Sequence, residues 1–245
     1  MVDECYYAGA YWGPRREDVG ECARRAELFF HMLARCDASL NQWYRRGRVA
    51  RGLPGHRVRM EHREELEELL LRGRNRATLD KSAIEDLGFS LEVWNQRPAA
   101  TATNVSVRCG GYTEHVSNAC LVDPPSEGEA ADRMLHVSPL AQVLECMATA
   151  WEPSWGVVNT NLGLDLLPKA QKGAARVGWM TYFARRRGTV PPLPAPVRIE
   201  PIGALGTLVI LTPERFTVSN PEHLALGRRV HELLDRAGLL KPELS

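Results

Sequence analysis

The most constraining feature of this 245-residue chain is an aromatic segment that runs directly into a helix start. Residues 6–12 read Tyr-Tyr-Ala-Gly-Ala-Tyr-Trp, and such alternating, aromatic-rich segments are typical of a half-buried β-strand. Pro14 follows, and proline fits the first turn of a helix because it needs no amide hydrogen there. Glu17 and Asp18 place negative charge where the helix dipole is positive. We therefore expect a strand that leads into a long helix over residues 14–36, and we assign both to the scaffold of the protein.

The position of this strand and the composition of the chain predict the cellular compartment of the protein and its number of domains. The strand begins close to Met1, which leaves no room for a signal peptide, so we expect a cytoplasmic protein. No stretch approaches the roughly 20 apolar residues that cross a bilayer. The composition is that of an ordinary globular protein, and the proline-rich stretch 191–196 is too short to separate domains. We therefore expect one domain over residues 1–245.

The rest of the chain divides into helical and extended patterns. Apolar residues at three- and four-residue spacing predict further helices over 61–72, 80–87, 138–151 and 220–237. Alternating patterns predict strands over 89–94, 105–109, 119–123, 155–158, 177–183, 197–202 and 207–212, the last two as a hairpin. Runs of consecutive strands between helices predict an α+β fold. We expect a mostly antiparallel sheet packed against a long N-terminal helix, a middle helix and a C-terminal helix.

The sequence lacks the local signatures of common enzyme sites. It has no glycine-rich nucleotide motif, no phosphate loop, no His-Glu-x-x-His and no Gly-x-Ser-x-Gly. The seven histidines are dispersed, which predicts surface residues, and the six cysteines show no Cys-x-x-Cys pair, which predicts buried thiols. We therefore predict no catalytic residues, no metal site and no cofactor. Dispersed catalytic residues leave no local motif, so an enzyme of unrecognised class stays an alternative.

Charge is nearly balanced along the chain. It has 31 basic and 30 acidic residues, a net charge of +1, which neither attracts nucleic acid globally nor mimics it. Arginine clusters at 45–48, 72–76 and 185–187 suit phosphate, but guanidinium groups suit partner carboxylates and helix-end carbonyls equally well. We expect no direct nucleic-acid binding, and a nucleic-acid-binding module is the third alternative. The acidic segment 123–132 predicts an exposed loop.

Candidate partner-binding residues come from these charged segments and from one aromatic pair. Trp43 lies beside Tyr44 and two arginines in a segment that we expect to be a loop, and Trp, Tyr and Arg are enriched at interface hot spots. The other tryptophans are expected in the core. We assign partner binding to Trp43, Tyr44, Arg45, Arg46, Arg74, Arg76, Glu127, Glu129, Asp132, Arg185 and Arg186.

An ordered set of short motifs spans nearly the whole chain. They are YAGAYWG at 7–13, ECARR at 21–25, WYRRG at 43–47, LLRGRNR at 70–76, LGFSLEVWN at 87–95, WGVV at 155–158 and GWMTY at 178–182. Together they resemble the immunity protein 52 family. The resemblance implies a cytoplasmic antitoxin, made beside a polymorphic toxin such as a type VI secretion effector. It also implies that the toxin partner is often a nuclease of restriction-endonuclease fold, inhibited by stoichiometric binding without turnover.

Two modes of inhibition stay open at this point. The protein either plugs the nuclease cleft or blocks the toxin assembly that is needed for cutting. In the first mode Glu127, Glu129 and Asp132 would mimic DNA phosphates. The near-neutral charge of the chain weakens that mode, since mimicry of DNA favours a strongly acidic inhibitor. Steric occlusion away from the DNA groove fits the sequence at least as well.

Overall fold

The chain forms an antiparallel sheet of ten strands, with helices, in the residues that the computed structural model describes. Those residues are 4–45, 55–78, 80, 82–163 and 173–242. The strands are β1 Tyr6–Trp12, β2 Trp43–Arg45, β3 Arg57–Val58, β4 Phe89–Trp94, β5 Asn104–Cys109, β6 Asn118–Asp123, β7 Trp155–Thr160, β8 Met180–Ala184, β9 Arg198–Ile202 and β10 Gly206–Ile210. The helices are α1 Val19–Leu33, α2 Arg63–Arg72, α3 Gly128–Met134, α4 Val137–Trp151 and α5 Pro221–Arg236. The predicted α+β class is confirmed.

Strand β1 lies in the middle of the sheet, whose strand order is β3-β2-β4-β5-β6-β1-β7-β8-β10-β9. Its alternate residues Tyr6, Ala8, Ala10 and Trp12 are buried, which indicates that one face of the strand is covered. Trp12 stacks on Trp151 of α4, with ring centroids 5.5 Å apart. Helix α4 also packs against α1, and α2 packs against α1 and β4. The main core therefore lies between this face of the sheet and the helices.

Helix α1 begins at Val19, so the predicted start at Pro14 is wrong. Asp18 is the N-cap, and its Oδ1 accepts a hydrogen bond from the Glu21 amide at 2.8 Å. A side-chain cap satisfies an amide that has no partner inside the helix, and it therefore fixes the first turn after Asp18 rather than at the proline. The helix ends at Leu33, and a turn follows it.

The predicted helix over 80–87 is also wrong. Asp80 Oδ1 accepts hydrogen bonds from the amide and the hydroxyl of Ser82, at 3.0 and 2.8 Å, and this arrangement holds a turn. Among the described residues 80 and 82–87, only Glu85–Leu87 is helical, as one 3₁₀ turn. Lys81, which the predicted helix includes, lies outside the described residues. Local side-chain hydrogen bonds therefore replace the helix that the spacing of apolar residues predicted.

The acidic segment 123–132 is not an exposed loop. Pro124 and Pro125 are buried, and the Ser126 amide donates to the Ala100 carbonyl oxygen at 2.9 Å. Helix α3 then begins at Gly128. The segment is therefore anchored at its start and helical at its end.

The C-terminal part of the chain follows the sequence prediction closely. Strands β9 and β10 form the predicted hairpin. Helix α5 begins at Pro221, and the side chain of its N-cap Asn220 accepts a hydrogen bond from the Glu222 amide at 3.0 Å. It buries Val230 and Leu234.

Candidate partner-binding site

The second face of the central sheet carries accessible side chains. Along β4, β5 and β6, alternate residues are half-buried or exposed, while those between them are buried. On β1 the half-buried residues are Tyr7 and Tyr11, on either side of Gly9. Antiparallel pairing places Leu121 of β6 opposite Gly9 and Trp155 of β7 opposite Tyr11. The two faces of the central sheet therefore differ, since one is packed and the other is partly open.

The floor of the open face is a pair of stacked aromatic rings. Tyr11 and Trp155 have ring centroids 4.4 Å apart and an interplanar angle of 23°. The Tyr11 hydroxyl lies above Gly9, because a Cβ at Gly9 would be 2.7 Å from the Tyr11 Oη and 2.9 Å from Leu121 Cδ2. Glycine is therefore the residue that lets the tyrosine ring lie across the sheet.

A cleft of about 960 Å³ opens over this floor. We call it the aromatic cleft, and its principal lining residues are Tyr7, Tyr11, Leu121, Trp155, Asn104, Glu114, Asp123, Arg176 and Arg187. Glu114 and Asp123 belong to the β5–β6 loop and to β6, whereas Arg176 and Arg187 flank β8. In the strand order β6-β1-β7-β8 the acidic and basic groups stand on opposite sides of the aromatic floor.

The tyrosines of the cleft are neutral hydrogen-bonding groups. Burial raises the pKa of Tyr7, and Arg176 opposes this rise. Burial also raises the pKa of Tyr11 well above its ordinary value, with a further rise from Tyr7 and from Asp123. Both phenols are therefore protonated at neutral pH, where each presents a ring and a hydroxyl to a bound partner.

A second, smaller groove lies beside α1. Its volume is about 420 Å³, and we call it the α1 groove. Its apolar lining includes Phe30, Leu40 and Trp43. Arg63 and Glu27, which also line it, form an ion pair with an Nη2–Oε2 distance of 2.7 Å. Part of its polar edge is therefore neutralised within the chain.

One histidine differs from its predicted surface position. His223 is buried, its Nδ1 accepts a hydrogen bond from the Thr217 amide at 3.1 Å, and its Nε2 lies 3.1 Å from Glu214 Oε1. These contacts hold the segment before α5 against the helix, so the prediction of a surface residue is wrong for His223. In the part of the chain that the structure describes, no group of three or more His, Cys, Asp or Glu side chains is placed to hold a metal ion.

The six cysteines are free thiols, and four of them are buried as predicted. Cys5 is exposed and Cys36 is half-buried, so the prediction is wrong for these two. The Cys36 and Cys146 sulfurs lie 3.6 Å apart, between the end of α1 and α4. Their hydrogen bond lowers the pKa of Cys36 and raises that of Cys146.

Comparison with known proteins places the chain in a family. The model of the family described as Immunity protein 52 matches residues 4–243, nearly the whole chain. The chain belongs to the Immunity protein 52 family. A search of curated proteins found no match.

One solved structure with a similar fold is described as Pseudomonas aeruginosa T6SS protein PA0821. The two are 12% identical, the likeness covers 97% of this chain and 75% of that chain, and the TM-score is 0.53. At this identity the likeness shows a shared fold alone. In the described residues of this Immunity protein 52 family member, no helix combines the length and apolarity that crossing a membrane requires.

Trp43, one of the two aromatic residues assigned to partner binding, is part of the core of this Immunity protein 52 family member. It lies in β2 rather than in the predicted loop and is 2% exposed. Its Nε1 donates to the Leu40 carbonyl oxygen at 3.1 Å, and its ring meets Phe30 edge-on, with centroids 5.4 Å apart. Tyr44 and Arg45 are half-buried in the same strand. The prediction of an exposed loop is therefore wrong, because this strand pairs with β4 and places the indole under α1.

The other arginines assigned to partner binding lie in separate places. Arg46 is outside the described residues. The guanidinium of Arg74 lies over the Phe89 ring, 5.0 Å from its centroid, and Arg76 is exposed in the same connection. Arg185 is exposed on a 3₁₀ turn after β8, where Arg186 Nη2 donates to Ser154 Oγ at 2.8 Å. At least two of these side chains, Arg74 and Arg186, thus make contacts within the chain.

The acidic residues assigned to partner binding lie close to the aromatic cleft in sequence. Glu127, Glu129 and Asp132 are exposed at the start of α3 or within it. Ser126, the residue before them, lines the cleft. None of the assigned residues that the structure describes lines the cleft itself.

Sequence reasoning missed the aromatic cleft, because it assigned the whole first strand to the scaffold. The alternation in β1 predicts two faces, but Tyr6 and Trp12 on one face are as aromatic as Tyr7 and Tyr11 on the other. Only the long-range packing of Trp12 on Trp151 of α4 decides which face is covered.

Proposed function

We propose that this chain is an immunity protein, which binds a cognate secreted toxin and neutralises it by stoichiometric protein–protein inhibition. The observation that carries this proposal is the Immunity protein 52 match over residues 4–243. Inhibition of this kind needs a stable scaffold and an accessible surface, and it needs no nucleophile, metal or cofactor. The continuous antiparallel sheet and its partly open face are consistent with that requirement.

The proposed toxin is a nuclease effector of restriction-endonuclease fold, delivered by a type VI secretion system or a related system. The name of the structural neighbour, a T6SS protein, supports the secretion system. The nuclease activity is inferred from the family resemblance. The immunity protein acts in the cytoplasm of the cell that makes the toxin, and it binds neither nucleic acid nor membrane.

The charge of the chain bears on how it inhibits. A net charge of +1 is unsuited to imitating DNA inside a basic nuclease groove. This near-neutral charge suits a contact outside that groove, where the inhibitor sterically blocks access of DNA to the toxin or blocks assembly of the toxin. A specific interface of this kind buries roughly 1,200–2,000 Å² in total.

The test begins with the gene next to this one, which we expect to encode the toxin. Co-expression of the two genes is expected to restore growth to cells that the toxin alone kills. In a purified system, the toxin is expected to degrade nucleic acid alone and to lose that activity when this chain is present.

A control reaction contains this chain without the toxin. Degradation of nucleic acid in that control would contradict the proposal and favour an enzyme. Absence of both binding and growth rescue with the neighbouring toxin would remove the support for an immunity role.

A further inference from the structure

We propose that the aromatic cleft is the surface on which the toxin docks, a proposal that rests on the proposed function. Its occupant is a projecting loop or hairpin of the toxin. That segment carries an apolar or aromatic side chain at its tip and charged side chains of opposite sign on its two flanks.

The floor of the cleft has the chemistry of an interface hot spot. Tyr11 and Trp155 stack in a fixed arrangement, and Tyr7 lies half-buried on the same side of β1. Tyrosine and tryptophan give a large contact area with little loss of side-chain freedom, and they anchor many protein interfaces. Because Tyr11 packs across Gly9 and against Trp155, the floor is formed before a partner arrives.

The walls of the cleft determine the polarity of the occupant. Glu114 is exposed on the β6 side and Arg176 is exposed on the β8 side, with the floor between them. A bound segment therefore needs a basic group toward β6 and an acidic group toward β8, with its apolar tip on the rings.

The same walls disfavour nucleic acid as the occupant. Tyrosine rings can stack on bases, but a strand of nucleic acid also needs a basic groove along its phosphates. Here one wall carries Glu114, which repels phosphate. A protein segment with charges of both signs satisfies both walls.

The experiment exchanges the two exposed wall charges in one variant, Glu114→Arg with Arg176→Glu. This exchange keeps the net charge of the chain, and both residues are exposed, so the melting temperature is expected to stay at the wild-type value. Like charges then face the toxin on both walls, and the Kd for the purified toxin is expected to rise at least about tenfold.

The matched control is Asp235→Arg with Arg228→Glu, which exchanges two exposed charges of α5 that lie outside the cleft lining and were not assigned to partner binding. Its Kd is expected to stay within about twofold of wild type, the range of a surface change away from an interface. A further pair tests the floor, since Tyr7→Ala is expected to weaken toxin binding by about tenfold or more. Tyr7→Phe keeps the ring, and its affinity for the toxin is expected to fall less than that of Tyr7→Ala.

The outcomes separate this proposal from the proposed function. If the wall-exchange variant binds the toxin as tightly as wild type, the cleft is not the docking surface. The same holds if the control exchange loses toxin binding and the wall exchange does not. Either result would leave the immunity role unaffected. A wild-type chain that does not bind the toxin would overturn the immunity role itself. Competition for the cleft by a single-stranded oligonucleotide would overturn the protein segment as its occupant.

Discussion

At the residue scale, Gly73 is required by a close contact rather than by its own backbone angles. It is the C-cap of α2 with a φ of −82°, which any residue adopts. A Cβ at this position would lie 1.8 Å from the Ser90 carbonyl oxygen in β4. The end of α2 therefore sits on the sheet at a distance that only glycine permits.

Substitution of Gly73 tests this contact. Gly73→Ala is expected to lower the free energy of unfolding by about 3 kcal/mol, because backbone must move to admit the methyl group. Gly13→Ala is the matched control, since a Cβ at Gly13 has no atom within 4 Å, and its change is expected to stay within about 0.5 kcal/mol. Chemical denaturation measures both, and equal losses would contradict the close contact.

Asp37 gives the second residue-scale feature, which is a stabilising carboxylate. Burial tends to raise its pKa, but hydrogen bonds from Arg133 and from Ser39 outweigh burial and hold the pKa of Asp37 below its ordinary value. The Arg133 Nε lies 3.0 Å from Oδ2, and the Ser39 amide lies 2.8 Å from Oδ1. A depressed folded-state pKa stabilises the fold above the unfolded-state pKa, and the effect is lost as the pH falls through the folded-state value.

The pH dependence of Asp37→Ala follows from that sign. At pH 7 the variant is expected to be less stable than wild type, and the difference in free energy of unfolding is expected to shrink below about pH 4. Urea denaturation at a series of pH values from 7 to 3 measures it. A difference that stays constant over this range would show that the ionised carboxylate contributes nothing.

At the element scale, α1 depends on its N-cap. Asp18→Ala is expected to lower the free energy of unfolding by about 1 kcal/mol, because the Glu21 amide loses its acceptor. Asp18→Asn keeps a side-chain oxygen and serves as the control, with stability close to wild type. Thermal unfolding measures both variants, and equal losses in the two would contradict the cap.

Strand β2 is the second element whose role is testable, because it carries Trp43 into the core. Trp43→Ala is expected to lower the free energy of unfolding by about 3–5 kcal/mol. Tyr44→Ala changes the half-buried neighbour and is expected to cost about 1 kcal/mol. A stable Trp43→Ala variant that selectively loses toxin binding would instead support the partner-facing role that the sequence suggested.

At the scale of the whole molecule, local patterns predicted most elements because their causes are local. The alternation of Phe89, Leu91 and Val93 is enough to predict strand β4. Asn220 followed by Pro221 is enough to predict where α5 begins. The helix prediction over 80–87 was wrong because the Asp80 side chain accepts hydrogen bonds that compete with those of a helix. The spacing of apolar residues and helix propensity contain no information about this competition.

The functional surface was less predictable than the elements, because it depends on contacts between distant residues. Tyr11 of β1 meets Trp155 more than 140 residues later in the sequence. The arginine clusters could be seen in the sequence, but their partners within the chain could not. Arg187, for example, donates to the Leu239 carbonyl oxygen at 3.0 Å, which ties the turn after β8 to the C-terminal segment.

The central claim is that this chain neutralises its toxin by binding it, and a titration tests that claim most directly. A fixed amount of active toxin is mixed with increasing amounts of this chain, and residual toxin activity is measured together with the mass of both proteins. Stoichiometric inhibition predicts a linear fall to zero at a fixed molar ratio, with both masses unchanged. Complete inactivation by a small fraction of an equivalent, with a change in the mass of the toxin, would contradict the claim and indicate catalysis.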